Sequence, residues 1–219
     1  MTADPAPGAA RPAGPRTTRR REQTRARLLS AALELLAEQG LARSSVEGVC
    51  ERAGFTRGAF YSNFQSMDDV VAALFAQQAG RVLEHVQERL AGAEDPAGVP
   101  GLVARVLELL PVDRQWLAVR AEFSAQALRN PAAAQVLTTA RGQLLERLEP
   151  LLAQGLARAG RGATTGTADL ARAVLAAHEG ASAPGADPGA GAGRAFEVRL
   201  VTAVVEAFSA PLQAPGGAR

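Results

Sequence analysis

Apolar residues along this chain recur at every third or fourth position, which is the spacing of one face of an α-helix. The clearest run begins near residue 66 and contains Val70, Val71, Leu74, Phe75, Val82, Val86 and Leu90. The same spacing predicts further helices at about 24–39, 101–110, 113–128, 132–158, 168–179 and 194–209. No segment shows the alternation of apolar and polar residues that a half-buried strand requires. The pattern therefore predicts an all-α protein.

Two short helices separated by a turn are predicted between residues 44 and 66. Ser44 followed by Glu47 has the spacing of a capping box that begins the first helix, and Thr56 is a suitable cap for the second. Gly54 lies between them and can adopt the left-handed conformation that other residues resist. This arrangement is a helix-turn-helix, whose second helix can enter the major groove of DNA.

The residues at the beginning of that second helix have side chains suited to DNA. Thr56 offers a hydroxyl near a phosphate, and Arg57 has two donors that match O6 and N7 of guanine. Gly58 allows the backbone to approach closely. Tyr61 and Asn63 can bind phosphate, and Asn63 can also reach a base edge. The alternative for Tyr61 is packing in the core.

The segment from 44 to 69 resembles the DNA-binding domain of the TetR family of repressors. Ala53-Gly54, Gly58, Phe60-Tyr61 and Asn63-Phe64 follow that family's order and spacing, and the likeness covers about residues 24–75. It implies an N-terminal three-helix helix-turn-helix domain, a helical-bundle domain for dimerisation and effector binding, and a double-stranded DNA operator. It also implies that the DNA contacts are Ser44, Ser45, Thr56, Arg57, Gly58, Tyr61 and Asn63.

Charge is spread unevenly along the chain. The first 66 residues contain ten arginines and six acidic residues, whereas the remainder contains fourteen arginines and sixteen acidic residues. Six of the arginines lie between Arg16 and Arg27, opposed only by Glu22. This basic arm is either a solvated tail or a contact to the DNA backbone or minor groove. The TetR family commonly has a phosphate-binding lysine where this chain has Met67, so the arm is the candidate for replacing that charge.

The sequence divides into four predicted segments. We expect a disordered basic arm over 1–20, a DNA-binding domain over 21–67, an effector and dimerisation domain over 68–210, and a disordered tail over 211–219. Glycine, alanine and proline dominate residues 183–193, which are expected to form a mobile linker. Loops are expected at 92–100 and 160–166, a helix break at Pro111, and Pro131 in a first helical turn with Pro150 inside the same helix.

Three residues form a candidate effector site. Trp116, Arg120 and Phe123 stand at positions i, i+4 and i+7 of a predicted helix and so share one face. In the family that this chain resembles, the middle helices line a ligand cavity. The alternative is a core stripe in which Arg120 pairs with an acidic residue or reaches solvent.

Dimerisation is expected because one recognition helix covers too few base pairs for specificity. The long helix at 132–158 and the last helix at 194–209 carry more apolar residues than one bundle face needs. The residues expected at the dimer interface are Leu144, Leu148, Val201, Val204 and Phe208.

The sequence gives little support for catalysis or for a metal or cofactor site. Two histidines and Cys50 do not supply a multi-ligand zinc site, and neither catalytic motifs nor cofactor-binding glycine loops are present. We expect no enzyme activity, cofactor or metal, no membrane span, and a reducing bacterial cytoplasm. All basic residues are arginine, as is typical of a GC-rich genome.

The predicted function is a homodimeric repressor that a small molecule releases from a near-palindromic operator, with the long helix from Ser66 as the lever. Two alternatives remain open at this stage. One is a regulator of the same family without a small-molecule effector. The other is an all-helical carrier or enzyme in which the helix-turn-helix is incidental.

Overall fold

The computed structural model describes residues 15–91, 98–107, 113–183 and 192–212. The chain forms two compact units that divide after Val70. Most described residues are helical, which confirms the predicted fold class. None of the described helices is long and apolar enough to cross a membrane.

The first unit consists of short helices packed on one long helix. Its elements are α1 (Pro15–Gln39), a 3-10 turn (Leu41–Arg43), α2 (Val46–Ala53), α3 (Arg57–Tyr61) and the beginning of α4 (Met67–Ala91). One apolar stripe of α1 and the inner residues of the short helices form its core. The fully buried members include Leu28, Ala32, Val49, Phe60 and Val70.

Local hydrogen bonds fix where α2 begins and ends. The N-cap is Ser45, whose Oγ accepts from the backbone N–H of Gly48 at 3.2 Å. The predicted cap, Ser44, lies one residue too early, and its Oγ donates to the carbonyl of Gly40 at 2.7 Å. Gly54 ends α2 with φ +69°, a left-handed conformation that strongly favours glycine.

Helix α1 begins at Pro15, nine residues before the predicted start near Thr24. Part of the segment expected to be a disordered arm is therefore helical, and the prediction for residues 15–20 was wrong. The segment is polar on all sides, so it lacks the apolar spacing by which a helix is identified.

The second unit is a helical bundle. It contains the rest of α4, α5 (Gly98–Leu107), α6 (Arg114–Ala127), α7 (Pro131–Arg158), α8 (Thr167–Ala181) and α9 (Ala192–Ala207). Its core joins four of these helices through Val99, Val103, Leu107, Leu156, Leu170, Val201 and Val205. As predicted, Pro131 lies in the first turn of α7 and Pro150 lies within that helix.

A short antiparallel ladder closes the bundle where a loop was expected. Strand β1 (Arg161–Ala163) pairs with β2 (Ser209–Pro211). Arg161 reinforces the pair, because its Nε donates to Ser209 Oγ at 2.9 Å and its Nη2 to the Ser209 carbonyl at 2.7 Å. The prediction of no strand was therefore wrong. Strands of three residues are too short for the alternation of apolar and polar residues to reveal them.

Several other predictions fall outside the described residues. These concern residues 1–14, the loop at 92–97, the break at Pro111, the linker at 184–191 and the tail from 213. Within the described chain, residues 98–100 belong to α5 rather than to the predicted loop.

Candidate DNA-binding surface and effector cavity

Helix α3 is held in place by its two ends and one buried ring. At its beginning, Thr56 Oγ1 accepts from the Ala59 N–H at 3.2 Å, as the capping prediction requires. Phe60 is fully buried and fixes the helix to the core of the first unit. Five residues would be marginal as a free helix, so this cap and this anchor keep α3 folded.

The face of α3 away from the core presents Arg57 and Tyr61. Their exposed fractions are 61% for the Arg57 side chain and 50% for Tyr61, which excludes core packing for the tyrosine. Arg57 Nη1 lies 2.8 Å from Glu47 Oε1 on α2. Hydrogen bonding to Tyr61, and then the Glu47 carboxylate, raise the pKa of Arg57, so the guanidinium stays charged.

Gly58 follows Arg57 on the same short helix. In the part of the chain that the structure describes, a Cβ built there would lie 3.7 Å from Thr56 Oγ1, an ordinary contact distance. Packing within the first unit therefore does not require glycine at this position. Its small size leaves the backbone of α3 open to approach from outside.

Two of the predicted DNA contacts are directed at the chain itself. Ser44 is half-buried and bonded to the Gly40 carbonyl, as described above. Asn63 donates from Nδ2 to the Ala59 carbonyl at 2.8 Å and so closes the end of α3. Both side chains therefore also have a role within the fold, and their contacts to DNA stay predictions. Ser45 remains exposed beside α2, although its hydroxyl serves as the cap.

Arginines of α1 bind the helix-turn-helix instead of forming a free arm. Arg21, Arg25 and Arg27 donate to the carbonyls of Ser62, Asn63 and Ala53 at 3.0, 3.1 and 3.2 Å. Each target lies at the C-terminal end of α2 or just after α3, where carbonyls lack helical partners.

Two of these guanidinium groups also cover aromatic rings. The guanidinium carbon of Arg25 lies 4.4 Å from the Phe64 ring centroid, and that of Arg27 lies 4.9 Å from the Phe55 ring centroid. Sequence reasoning missed this role, although the spacing of Arg21 and Arg25 places them on one face of a helix.

The second unit contains a cavity of about 550 Å³ between α4, α6, α7 and α8. Two of the three candidate effector-site residues, Trp116 and Arg120, line this cavity. Phe123 is fully buried, with its ring centroid 5.8 Å from that of Phe75, and it supports the wall without lining the cavity. The alternative for Arg120 also holds, since its Nη1 lies 3.4 Å from Glu179 Oε1.

A smaller cavity of about 110 Å³ lies in the apolar core of the same unit. Leu144, Leu148 and Val201 line it, and the last two are buried within the chain. Buried side chains cannot meet a partner subunit, so Leu148 and Val201 are corrected from dimer contacts to core residues. Of the other predicted interface residues, Val204 and Phe208 are half-buried.

His178 lines both cavities and contacts a buried carboxylate. Its Nδ1 lies 2.6 Å from Glu197 Oε1, while Glu197 Oε2 accepts from Arg194 Nη1 at 3.2 Å. Only 6% of Glu197 is exposed. The sequence analysis did not identify this carboxylate, because its partners come from other parts of the chain.

The described residues include neither a metal-binding group nor an exposed cysteine. No group of three or more histidine, cysteine or carboxylate side chains there could hold a metal ion. Cys50 is buried, and that burial, followed by the charge of Glu47, raises the pKa of its thiol. A disfavoured thiolate is a poor nucleophile, which supports the interpretation of Cys50 as a core residue.

Comparison with known proteins identifies the first unit. The family model for bacterial regulatory proteins of the TetR family matches residues 28–74, which include α2 and α3. The sequence of this first unit is therefore similar to that of TetR-family regulators.

An HTH-type transcriptional regulator of Mycobacterium tuberculosis is 40% identical over 85 residues, or 39% of this chain and 43% of that protein. The HTH-type transcriptional regulator UidR of Escherichia coli K12 is 28% identical over 116 residues, or 53% of this chain and 58% of UidR. The chain thus spans about half the length of these curated relatives.

Solved structures extend the TetR fold over most of the chain. A chain from Mesorhizobium loti described as a TetR-family transcriptional regulator superposes with a TM-score of 0.65 and 20% identity, covering 86% of this chain and 96% of that one. GusR of Salmonella enterica superposes with a TM-score of 0.64 and 23% sequence identity, covering 84% of this chain and 96% of that one. The TetR-family match in sequence includes the candidate DNA-binding surface but ends at residue 74, before the cavity lining.

Proposed function

We propose that this chain is a DNA-binding transcriptional regulator of the TetR type, in which α3 reads the major groove. The observation that carries the proposal is the outer face of α3, where Arg57 and Tyr61 stand exposed as neighbours one helical turn apart. An exposed arginine and tyrosine serve no core, whereas arginine is the side chain best matched to guanine. In this proposal Arg57 contacts a base, and Tyr61, Thr56 and Ser45 contact the sugar-phosphate backbone.

A homodimer on a near-palindromic operator follows from the size of α3. A helix of five residues reaches only a few base pairs, so specificity requires two half-sites. Helix α9 offers a surface for the second copy. Its residues Phe196, Leu200 and Val204 follow one another at four-residue spacing, beside the buried stripe that faces the core, and all three remain partly exposed. A second copy of this chain is the occupant that the proposal assigns to them.

Release by a small molecule is the mode of regulation that we propose. The cavity in the second unit, at about 550 Å³, lies within the usual range of ligand sites, roughly 300–1,000 Å³. A regulator without an effector has no need of such a space. The effector must bind the DNA-free conformation more tightly than the DNA-bound one, since only differential affinity shifts an equilibrium.

Selection from a pool of random double-stranded DNA tests the proposed function. The purified full chain should enrich a motif with two-fold symmetry, and binding to it should weaken steeply as salt rises. A pool that shows no enrichment, together with binding that salt does not affect, would favour the carrier or enzyme alternative.

A further inference from the structure

The charges that line the larger cavity of the second unit are unbalanced. Among the described residues there, the ionisable side chains are Arg120, Arg141, Glu179 and His178. Both arginines share the one carboxylate, at 3.4 Å for Arg120 and 2.5 Å for Arg141. His178 is directed to Glu197. Two guanidinium groups against one carboxylate leave the cavity with an excess of positive charge.

The groups of this cluster are only partly solvated. The exposed fractions of the side chains are 23% for Arg120 and 29% for Glu179, while Arg141 at 44% lies nearer the rim. A charge interaction in such a place is stronger than one on the open surface. A second carboxylate would balance both arginines, and the planar guanidinium group binds carboxylates through paired hydrogen bonds.

Aromatic rings form the neighbouring wall. The centroids of Phe75 and Trp116 lie 4.7 Å apart with their planes nearly perpendicular. Both rings line the cavity. Such a wall offers contact area and ring faces to a planar apolar group, for which the aliphatic second cavity, at about 110 Å³, is too small.

We propose that the larger cavity binds an aromatic carboxylate, with the carboxylate bridging Arg120 and Arg141 and the ring packed against Trp116. This proposal rests on the proposed function, because it names the chemical class of the effector. In the complex two anions face two cations, so Glu179 becomes a competitor that the ligand must partly displace from the arginines.

Trp116 provides a direct readout, because it is the single tryptophan of the chain. Its fluorescence can be followed while the full chain is titrated with benzoate, cinnamate and biphenyl carboxylate. Each acid is compared with its neutral carboxamide and its primary amine, which share the ring but not the charge. We expect at least one acid to bind roughly tenfold or more tightly than its amide.

Three variants test the roles of the charges. Arg120→Gln and Arg141→Gln should each abolish most of the preference for the acid over the amide. Glu179→Gln should strengthen acid binding several-fold, because it removes the competing carboxylate. The control is Arg172→Gln, which removes an exposed arginine paired with Asp169 within α8 and should leave the preference unchanged. Thermal unfolding of each variant shows whether its fold is intact.

Two results would overturn the proposal: no acid binds more tightly than its amide, or an amine binds best, which would make Glu179 the ligand contact. Failure of the underlying function looks different. An acid that binds as predicted but leaves the affinity for the selected DNA unchanged would sustain the ligand class and refute its role as effector. Normal DNA binding without acid preference would refute the ligand class alone.

Discussion

Glu47 is the ion-pair partner of Arg57, the residue that we propose as the base contact. In the DNA-free chain the Arg57 guanidinium is bound to the Glu47 carboxylate at 2.8 Å, and both side chains are largely exposed. Arg57 must give up this partner to bind a guanine edge. An exposed ion pair is weak, so the exchange is feasible, but the carboxylate also repels the phosphates nearby.

Replacing Glu47 should therefore tighten DNA binding. We expect Glu47→Gln to raise the affinity for the selected operator several-fold, measured by fluorescence anisotropy at fixed salt. Glu51→Gln is the matched control, since it removes the same charge from the exposed side of α2. If both variants gain the same affinity for the operator, the effect comes from the change in net charge and the Arg57–Glu47 ion pair has no specific role.

At the scale of single residues, sequence reasoning correctly predicted the cap at Thr56 and the turn at Gly54, because a short motif constrains them locally. It misassigned Ser44 because the cap lies one residue later, at Ser45. The role of Asn63 as a closure of α3, and of Arg21 as a brace, depends on backbone groups brought close by folding. Spacing along the chain does not reveal such contacts.

At the scale of elements, Glu197 joins α9 to two other helices. Its carboxylate lies between His178 of α8 and Arg194, and Arg194 Nη1 also donates to the carbonyl of Leu107 at the end of α5, at 2.5 Å. Glu197 is buried and bonded to both side chains, so replacing its carboxylate weakens two charge-assisted hydrogen bonds, which is destabilising.

The substitution Glu197→Gln should therefore lower the free energy of unfolding of the second unit by about 2 kcal/mol. Urea unfolding followed by Trp116 fluorescence measures it, because that tryptophan lies in the same unit. Glu146→Gln on the exposed side of α7 should change stability by less than about 0.5 kcal/mol. If the two variants unfold at the same urea concentration, Glu197 does not hold α9 in place.

Long helices were predictable because their apolar spacing persists over several turns. The start of α1 was not predictable, because its arginine-rich segment has no run of apolar residues at helical spacing. The β1–β2 ladder was missed for the opposite reason, as its strands pair across 48 residues and are only three residues long. Apolar patterning also could not tell core from interface: Leu148 and Val201 face the interior of their own chain.

At the scale of the whole molecule, the proposed dimer rests on the exposed stripe of α9. Phe196 is 43% exposed, so a substitution there should disturb the fold little. Phe196→Arg should yield monomers, because it places an unpaired charge in the proposed interface. The more buried substitution Val204→Arg should act in the same direction. Sedimentation at micromolar concentration measures the change.

Leu128 provides the control for charge on an apolar surface position, because it is 86% exposed and lies outside the stripe. The variant Leu128→Arg should remain dimeric. A wild-type chain that sediments as a monomer and still binds a palindrome tightly would contradict both the interface and the two-site reading of DNA.

The most direct test of the central claim is the affinity of wild type and Arg57→Ala for the selected operator and for scrambled DNA of equal length. If Arg57 reads a base, the variant loses roughly tenfold to a hundredfold on the operator and much less on scrambled DNA, and one position of the motif becomes degenerate. Tyr61→Phe, which removes the hydroxyl that we propose contacts a phosphate, should weaken both by similar factors. An Arg57→Ala variant that lost affinity equally for both DNAs, or for neither, would contradict the proposal that α3 reads the sequence.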